Sequence, residues 1–402
     1  MSGALCKFDS VHHLATRSLR VILTIVSLVV IACVTSVLRL SSSKRRIQIV
    51  VMDPRYFGHQ CLEPEVFRSD REQAVARGSK DFWFCCLGKR RVASNKHLWD
   101  LTKSKLSTLP SWLVTDVKYW QRRFAFSSIQ LLDASIYRLN FLTKKASEMP
   151  PADGCAARRQ VILSHLRDPD RPYVVFTIRE PGVWYDPVDP RNRAIQTFLP
   201  SMEKLAQLGY NVVRLTSQTK DPLRAGNPHI LDWQVLLNGQ EGDELAVISG
   251  ATFVVSTTTG GDCLALAYRR PVLYIDSARI YLVFLGTELA TFQVPQILDV
   301  SSGERLRLGE ILRRGLGWVG DARQFVAAGA QIINSSAEQI ERYVVEYEAL
   351  IRSEPKESLS DSQNLWREEL LAQHRHEIGE RHGEIRANML PSSIEQFASI
   401  SN

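Results

Sequence analysis

Short apolar runs alternate along this chain with segments of helical spacing. Apolar runs of β-branched and aromatic residues occur at 47–52 (IQIVVM), 82–87 (FWFCCL), 173–178 (YVVFTI), 211–215 (NVVRL), 252–255 and 271–275 (PVLYI). Each run has the length of a buried strand. Because helical segments separate these strands, the pattern predicts parallel sheets and an α/β fold.

The predicted strands fall into two groups, which we interpret as two domains. Residues 46–150 form the first and residues 172–350 the second, with Pro- and Gly-rich turn chemistry between them (MPPADG, from 149). The second group alternates strands and helices as a doubly wound domain does. Residues 353–402 are rich in Glu, Arg and His and are predicted to form a helical charged tail.

One long apolar segment precedes both domains. Residues 21–38 contain no charged side chain, and as a helix they would span roughly 27 Å, enough for a single transmembrane helix after an N-terminal segment of residues 1–20. The alternatives are a cleaved signal and a lipoprotein signal ending at Cys33, but the apolar run continues past that cysteine. The slight excess of basic residues after the segment favours a cytoplasmic body at the inner membrane.

Composition narrows the functional classes. The chain has 402 residues and a formal charge of +7, and part of this charge flanks the apolar segment, so no nucleic-acid role follows from it. Seven cysteines, an odd number, indicate a reducing compartment rather than a disulfide framework. No paired CxxC, HExxH or P-loop motif occurs.

Ligands of open α/β sheets bind beyond the carboxyl ends of the strands, and three loops in this chain follow predicted strands. In the first, Arg179 follows the YVVFTI run, with Glu180 beside it and Arg191, Asn192 and Arg193 downstream. A guanidinium at this place suits a diphosphate. The alternative is that Arg179 forms a structural ion pair with Glu180 or Asp186.

The second loop is rich in hydroxyls and glycines and opens a predicted helix. It consists of Ser256, Thr257, Thr258, Thr259, Gly260 and Gly261. Hydroxyls and free N–H groups at a helix N-terminus favour anion binding. The alternative is an ordinary capped turn between a strand and a helix.

The third loop, around Gly58 and His59, follows the first predicted strand, with Glu63 close behind. His59 or Glu63 could deprotonate an acceptor hydroxyl, with Glu180 as a further candidate base. The alternative for His59 is a loop histidine that caps backbone groups. We predict no metal site, because Asp168-Pro-Asp170, the only DxD pattern considered, precedes a strand rather than following one.

A family resemblance rests on these same segments. The stretch from YVVFTIREPG through DPRNRAIQTFLPSMEKLAQLGYNVVRLTS and DELAVISGATFVVSTTTGGDCLALAYRRPVLYI, together with RYFGHQCLEPEVFRSD, resembles a bacterial family of glycosyltransferases of surface-polysaccharide synthesis. The resemblance covers most of residues 47–350. The Arg-ended strand is also distantly similar to the His-x-Arg element of fucosyltransferases, with Thr177 in place of the histidine.

The resemblance implies a GT-B-like architecture with two Rossmann-like domains. It implies that Arg179, Asn192 and the loop at 256–261 contact a nucleotide-sugar donor, and that Gly58 and His59 line the acceptor side. The reaction expected is hexosyl or deoxyhexosyl transfer to a glycan or lipid-linked acceptor at the membrane, in polysaccharide or lipopolysaccharide synthesis. No cofactor other than the nucleotide-sugar co-substrate, and no nucleic-acid partner, is expected.

Two other classes of function stay open at this stage. One is another enzyme on a similar scaffold, such as a nucleotide-sugar epimerase or a pyruvyl transferase. The other is a non-catalytic, membrane-tethered assembly protein, because a fold does not fix a function. The sugar, the nucleotide base and the stereochemical outcome are not specified by the sequence.

Overall fold

The structure is a computed structural model, and the part of the chain it describes has several gaps. The described residues are 24–34, 36–37, 45–123, 128–133, 153–180, 189–215, 222–223, 225–233, 240, 242–280, 283, 286–319, 321–353, 363–372 and 387–398. No helix within these ranges has both the length and the apolar character needed to cross a membrane. Residues 21–23, 35 and 38 of the predicted membrane segment lie outside them.

The chain divides into two compact units. Unit 1 comprises Met1–Tyr56 and Phe67–Ala134, and unit 2 comprises Phe57–Val66 and Ser135–Asn402. The sequence grouped residues 57–66 with the first domain, whereas in the structure they belong to the unit that contains most of the second.

Unit 1 is built on a three-stranded parallel sheet in the order β2-β1-β3. Its elements are β1 (Ile47–Val51), the second half of α1 (Phe57–Ala76), β2 (Phe82–Cys86), α2 (Lys96–Lys105), α3 (Ser111–Arg123) and β3 (Ile129–Asp133). Residues 24–34 and 36–37 are helical, and Ile31 packs with Ile49, Val114 and Ile129 in the core of this unit. The sequence predicted β1 and β2 but not β3.

Unit 2 is a larger doubly wound domain. Its elements are α4 (Cys155–Leu163), β4 (Tyr173–Thr177), α5 (Leu199–Gln207), β5 (Asn211–Arg214), β6 (Ile230–Asp232), α6 (Asp243–Ile248), β7 (Phe253–Ser256), α7 (Gly260–Ala267), β8 (Val272–Tyr274), β9 (Ala290–Phe292), β10 (Gln296–Asp299), α8 (Leu308–Arg313), α9 (Ala322–Ala327), β11 (Ala330–Ile333), α10 (Ala337–Arg352), β12 (Asn388–Met389) and α11 (Pro391–Ala398). Seven strands form a parallel sheet in the order β12-β9-β8-β7-β4-β5-β6, and β10 pairs with β11 in an antiparallel ribbon. The predicted α/β fold with parallel sheets is confirmed.

The core of unit 2 explains why its strands read as continuous apolar runs. All five residues of β4 and all four of β7 are buried, because α5 and α10 cover one face of the sheet. The helix α10 begins where the sequence places its capping box, with Ser336 accepting from the Gln339 N–H. Burial on both faces is what a parallel sheet with helical crossovers requires.

The C-terminal region differs from the predicted helical charged tail. Residues 363–372 are helical, but Asn388–Met389 form β12, which pairs in parallel with β9 at the edge of the large sheet. The Trp366 ring packs on Phe292 with 5.2 Å between ring centroids. The described part of this region therefore contains two helices and also a strand that completes the edge of the sheet. The tail histidines at 374, 376 and 382 lie outside the described residues.

Candidate functional site

The strand order of unit 2 creates a topological switch point between β4 and β7. From β4 the chain proceeds outward through β5 and β6, and from β7 it proceeds in the opposite direction through β8 and β9. The loops after β4 and β7 therefore separate at their carboxyl ends and leave a crevice, which is where ligands of such sheets bind. Thr177 at the end of β4 is paired with Ser256 at the end of β7.

Arg179 lies directly beyond β4 and faces the loop after β7. Its backbone N–H donates to Thr257 Oγ1 at 2.9 Å. Its Nε donates to Asn192 Oδ1 at 3.2 Å, and its guanidinium lies 3.4 Å from Asp189 Oδ2. The structure therefore brings together Arg179, Asn192 and the hydroxyl-rich loop, which the sequence analysis had placed in one site.

A second cation shares the same carboxylate. Arg191 binds Asp189 through Nε at 2.9 Å and through a terminal nitrogen at 2.6 Å, and its other terminal nitrogen donates to the Thr258 carbonyl at 3.3 Å. Burial raises the pKa of Asp189, but the hydrogen bonds and charge of Arg191 outweigh burial and hold that pKa below its usual value. Two guanidinium groups thus converge on one ionised carboxylate beside the loop.

The hydroxyl-rich loop is organised by its own side chains. Ser256 Oγ accepts from the Thr259 N–H at 3.2 Å and donates to Asp262 at 3.1 Å. Thr259 caps α7 by accepting from the Gly261 N–H at 3.2 Å. Thr258 has a φ of +63°, an uncommon backbone conformation for a β-branched residue and one that costs about 1–3 kcal/mol. The loop is therefore held in one defined conformation at the start of a helix.

Two glycines allow close approach at this helix start. A Cβ on Gly261 would lie 2.7 Å from Thr177 Cγ2, and a Cβ on Gly260 would lie 3.1 Å from the Gly58 nitrogen. Neither distance accommodates a methyl group without movement. Gly260 and Gly261 therefore let the strand end of β4 and the first turn of α1 pack directly against the start of α7.

Asp262 is a fully buried carboxyl in the first turn of α7. Burial is the main influence on it and raises its pKa to about 6, against hydrogen bonds from Cys263, Ser256 and Thr259 that act in the opposite direction. Its Oδ2 accepts from Ser256, while Oδ1 has no hydrogen-bond partner among the described residues. Burial therefore favours the protonated form of Asp262 at a pH where an ordinary carboxyl group is ionised.

Gly58 and His59 lie in the first turn of a helix rather than in the predicted loop. The helix α1 begins at Phe57 and continues through Pro64. His59 Nδ1 is 2.7 Å from Glu63 Oε1, one turn later, and the His59 side chain is 33% exposed whereas that of Glu63 is 3% exposed. A buried carboxylate that accepts Nδ1–H orients the imidazole and leaves Nε2 as its basic nitrogen. Because Gly58 contacts Gly260, the His59–Glu63 pair lies next to the hydroxyl-rich loop.

Glu180, the third candidate base, is placed differently. Its carboxylate is 5% exposed and is bonded to the buried Arg214, which also donates to Asp232 at 2.7 Å. Glu180 follows β4, Arg214 and Asp232 end β5 and β6, and the three side chains form a buried ion cluster. Arg179 itself is held by Asn192 and Asp189, and Asp186, its other suggested partner, lies outside the described residues. We assign Glu180 no proton-transfer role.

Two further charged residues at this edge, Asp189 and Asp276, did not stand out in the sequence. Asp189 joins Arg179 to Arg191, and Arg193 forms an ion pair with Asp276, which follows β8. Asp276 is marked by no local pattern because its partner Arg193 is distant in the chain, and Asp189 gains its place by joining two cations of one loop. Among the described residues, no group of three or more His, Cys, Asp or Glu side chains is arranged to hold a metal ion.

Comparison with known proteins gives only distant similarities. No protein-family model matches the chain, and no curated protein matches it. Among solved structures, it is similar to E. coli ADP-heptose LPS heptosyltransferase II, with 13% identity, 57% of this chain and 84% of that chain covered, and a TM-score of 0.38.

Two other solved structures show similarity of the same order. A glycosyl transferase family 9 protein from Veillonella parvula has 10% identity, coverage of 57% and 80%, and a TM-score of 0.36. The E. coli heptosyltransferase WaaC with ADP-2-deoxy-2-fluoro heptose has 18% identity, coverage of 57% and 88%, and a TM-score of 0.30. Because these TM-scores are below 0.5, the function of this chain has to be argued from its own site.

Proposed function

We propose that this protein is a glycosyltransferase that binds the diphosphate of a nucleotide-sugar at the switch point of unit 2. The observation that carries the proposal is the convergence of Arg179 and Arg191 on the loop at 256–261, through the bonds to Thr257 and Thr258. Switch points of doubly wound sheets are ligand sites. A site that combines guanidinium groups with the start of a helix selects an anion.

The charge at the site fits a departing diphosphate. Arg179 and Arg191 bring two positive charges and Asp189 one negative charge, so the three side chains carry a net +1 beside the N-terminus of α7. As the bond between the sugar C1 and the diphosphate oxygen breaks, its electron pair passes to the diphosphate. Fixed cations and helix N–H groups stabilise that developing charge.

His59 supplies the base in this proposal. An acceptor hydroxyl attacks the sugar C1 while its proton passes to His59 Nε2, and Glu63 stabilises the imidazolium through Nδ1–H. The short Nδ1 to Glu63 distance and the burial of Glu63 support this division of roles, in which Glu63 orients the base and does not itself take the proton. Gly58 lies in the same helical turn as His59, and this turn packs closely against Gly260.

Several finer features form part of the proposal. We propose a GT-B-like arrangement of two Rossmann-like domains, transfer of a hexosyl or deoxyhexosyl group, and a glycan or lipid-linked acceptor of surface-polysaccharide synthesis. Arg179 and Arg191 take the place of a metal ion as counter-charges, and no cofactor beyond the co-substrate is needed. Residues 21–38 anchor the enzyme in the inner membrane with its catalytic part on the cytoplasmic side, as their uncharged sequence and basic flanks favour.

Ligand binding by the purified full-length chain tests the donor part of the proposal. A panel of UDP, GDP, CDP, ADP and dTDP is added with and without EDTA, and thermal unfolding is followed. A ligand at about 100 times its dissociation constant stabilises by roughly 2.7 kcal/mol. We expect at least one diphosphate to stabilise the protein equally in EDTA. Stabilisation by none of them contradicts the proposal.

Product analysis with the matching nucleotide-sugar tests the chemistry. We expect acceptor-dependent release of nucleoside diphosphate, and we expect His59→Ala to lower kcat by about 100-fold or more without changing donor affinity. Glu63→Gln retains the histidine and is expected to lower kcat less. Conversion of the donor without an acceptor would instead indicate an epimerase, and normal turnover by His59→Ala would exclude His59 as the base.

A further inference from the structure

Arg193 is a buried cation at the candidate site with an unusual set of partners. Its side chain is 4% exposed and lies 2.6 Å from Asp276, which is 1% exposed. A terminal nitrogen also donates to the Ser335 carbonyl at 2.7 Å. Burying a cation is costly unless it is paired and hydrogen-bonded, and both conditions are met here.

The backbone of Arg193 is tied to the proposed donor cation. Its N–H donates to the carbonyl of Arg179 at 2.7 Å. Asn192, the preceding residue, accepts from Arg179 Nε, and Arg191 reaches the Thr258 carbonyl. Residue 193 therefore holds both the main chain of Arg179 and the segment that fixes its guanidinium.

The anchor for Arg193 is itself firmly held. Asp276 follows β8 and accepts from Ser335 Oγ at 2.6 Å and from the Ser335 N–H at 3.2 Å. The backbone N–H of Asp276 donates to Gln293 Oε1 at 2.8 Å. Asp276 also has a φ of +52°, a conformation that persists only when the surroundings enforce it. Arg193 thus links the loop after β4 to a rigid point beyond β8.

Arg193 is not placed to act on a ligand directly. One terminal nitrogen lies at Asp276 and the other donates to the Ser335 carbonyl, and burial lowers the pKa of the guanidinium while Asp276 raises it. Resting on the proposed function, we propose that Arg193 is a positioning residue that sets the donor affinity of the site by holding Arg179 and Asn192 against the hydroxyl-rich loop.

A double-mutant cycle on the full-length protein tests this role, with the tightest-binding diphosphate of the panel as the probe. Removing one partner would leave the other charge buried and unpaired, which is strongly destabilising, so the variant is R193M/D276N, which removes both charges. We expect its dissociation constant for the diphosphate to rise about tenfold, and that of Arg193→Lys to rise less. When Arg179 is already alanine, we expect R193M/D276N to change the dissociation constant less than twofold, because Arg193 acts through Arg179.

The matched control is another ion pair of unit 2, Arg158 with Asp243, whose atoms are also 2.6 Å apart. We expect R158M/D243N to lower the unfolding temperature without changing diphosphate affinity. Unchanged affinity in R193M/D276N with a lowered unfolding temperature would show a purely structural role. If R193M/D276N lowers diphosphate affinity equally in the presence and absence of the Arg179 side chain, Arg193 contacts the ligand directly. Either result overturns the inference while the proposed function stands, whereas a wild-type protein that binds no diphosphate overturns both.

Discussion

The two halves of the candidate site are built in different ways. The loop at 256–262 is held by bonds between its own residues, such as Ser256 with Asp262 and Thr259 with Gly261. The cation half also depends on side-chain contacts to residues distant in the chain, since Arg191 donates to the Thr258 carbonyl across 67 residues and Arg193 binds Asp276. Backbone N–H groups can be positioned locally, whereas a long flexible cation needs tertiary contacts to fix its direction.

This difference has a consequence for how each half responds to substitution. A change in the hydroxyl-rich loop alters backbone geometry, so stability and binding change together. A change in the cation half removes side-chain donors and leaves the sheet intact, so binding is expected to change more than stability. Four variants separate these two kinds of effect.

The largest effect is expected for Arg179→Ala. Losing a charged donor to a diphosphate costs about 3 kcal/mol, so diphosphate affinity falls about 100-fold while the unfolding temperature changes little. Isothermal titration with the best nucleoside diphosphate measures the affinity. Arg179→Lys keeps the charge but loses the planar fork, and we expect intermediate affinity. If Arg179→Ala binds the diphosphate with wild-type affinity, the cation half is not part of the binding site.

Gly261→Ala tests the backbone half. The new Cβ would lie 2.7 Å from Thr177 Cγ2. We expect a loss of about 2 kcal/mol of stability and weaker diphosphate binding, because the start of α7 must shift. Thr177→Ser removes Cγ2, and the double variant is expected to recover part of both losses.

Gly226→Ala is the matched control for this substitution, because a Cβ there meets no atom within 4 Å. Chemical denaturation measures stability, and the same titration measures affinity. If Gly261→Ala behaves like Gly226→Ala, the close packing at the start of α7 does not matter.

Thr257→Val breaks the hydrogen bond that joins the two halves. The Arg179 N–H loses its acceptor, which lies at 2.9 Å in the structure, and an unpaired N–H of this kind costs about 1.5 kcal/mol. We expect lower stability and a smaller loss of affinity than in Arg179→Ala. Thr257→Ser retains the hydroxyl and is expected to behave as wild type, and a loss in that variant would point to packing instead.

The smallest effect concerns the pH dependence set by Asp262. Its folded-state pKa of about 6 is above the unfolded value, so the folded protein binds the extra proton. This carboxyl therefore favours folding below pH 4 and loses that contribution as the pH rises through 6. Relative to Asp262→Asn, we expect wild-type stability to fall by about 1 kcal/mol between pH 5 and pH 7. Parallel pH profiles for the two proteins would contradict this.

The sequence predicted those parts of the site that depend on strand ends. The apolar runs located β4 and β7, and the residues directly after them, Arg179 and Ser256 to Gly261, follow the two strands that meet at the switch point. The proximity of Gly58 to that loop was not predicted. It depends on α1 beginning at Phe57 and on the absence of a side chain at Gly260.

The ion-pair partners of the charged residues were predicted less well, because the sequence does not show which opposite charge a residue will meet in the fold. Glu180 follows β4 as Arg179 does, yet it turns into the interior to pair with Arg214. Asp189 and Arg193 gain their importance only from Arg179 and Asp276.

By itself, the sequence determined the parallel α/β character of this protein, because strands buried on both faces must be apolar throughout. It also determined the local structure of the loop at 256–261, because its hydroxyls and glycines act on neighbouring backbone. Only the tertiary structure decided which cations face that loop and which are neutralised in the core. The direction of a long charged side chain is set by partners from other strands, and the chain order does not record where those strands will lie.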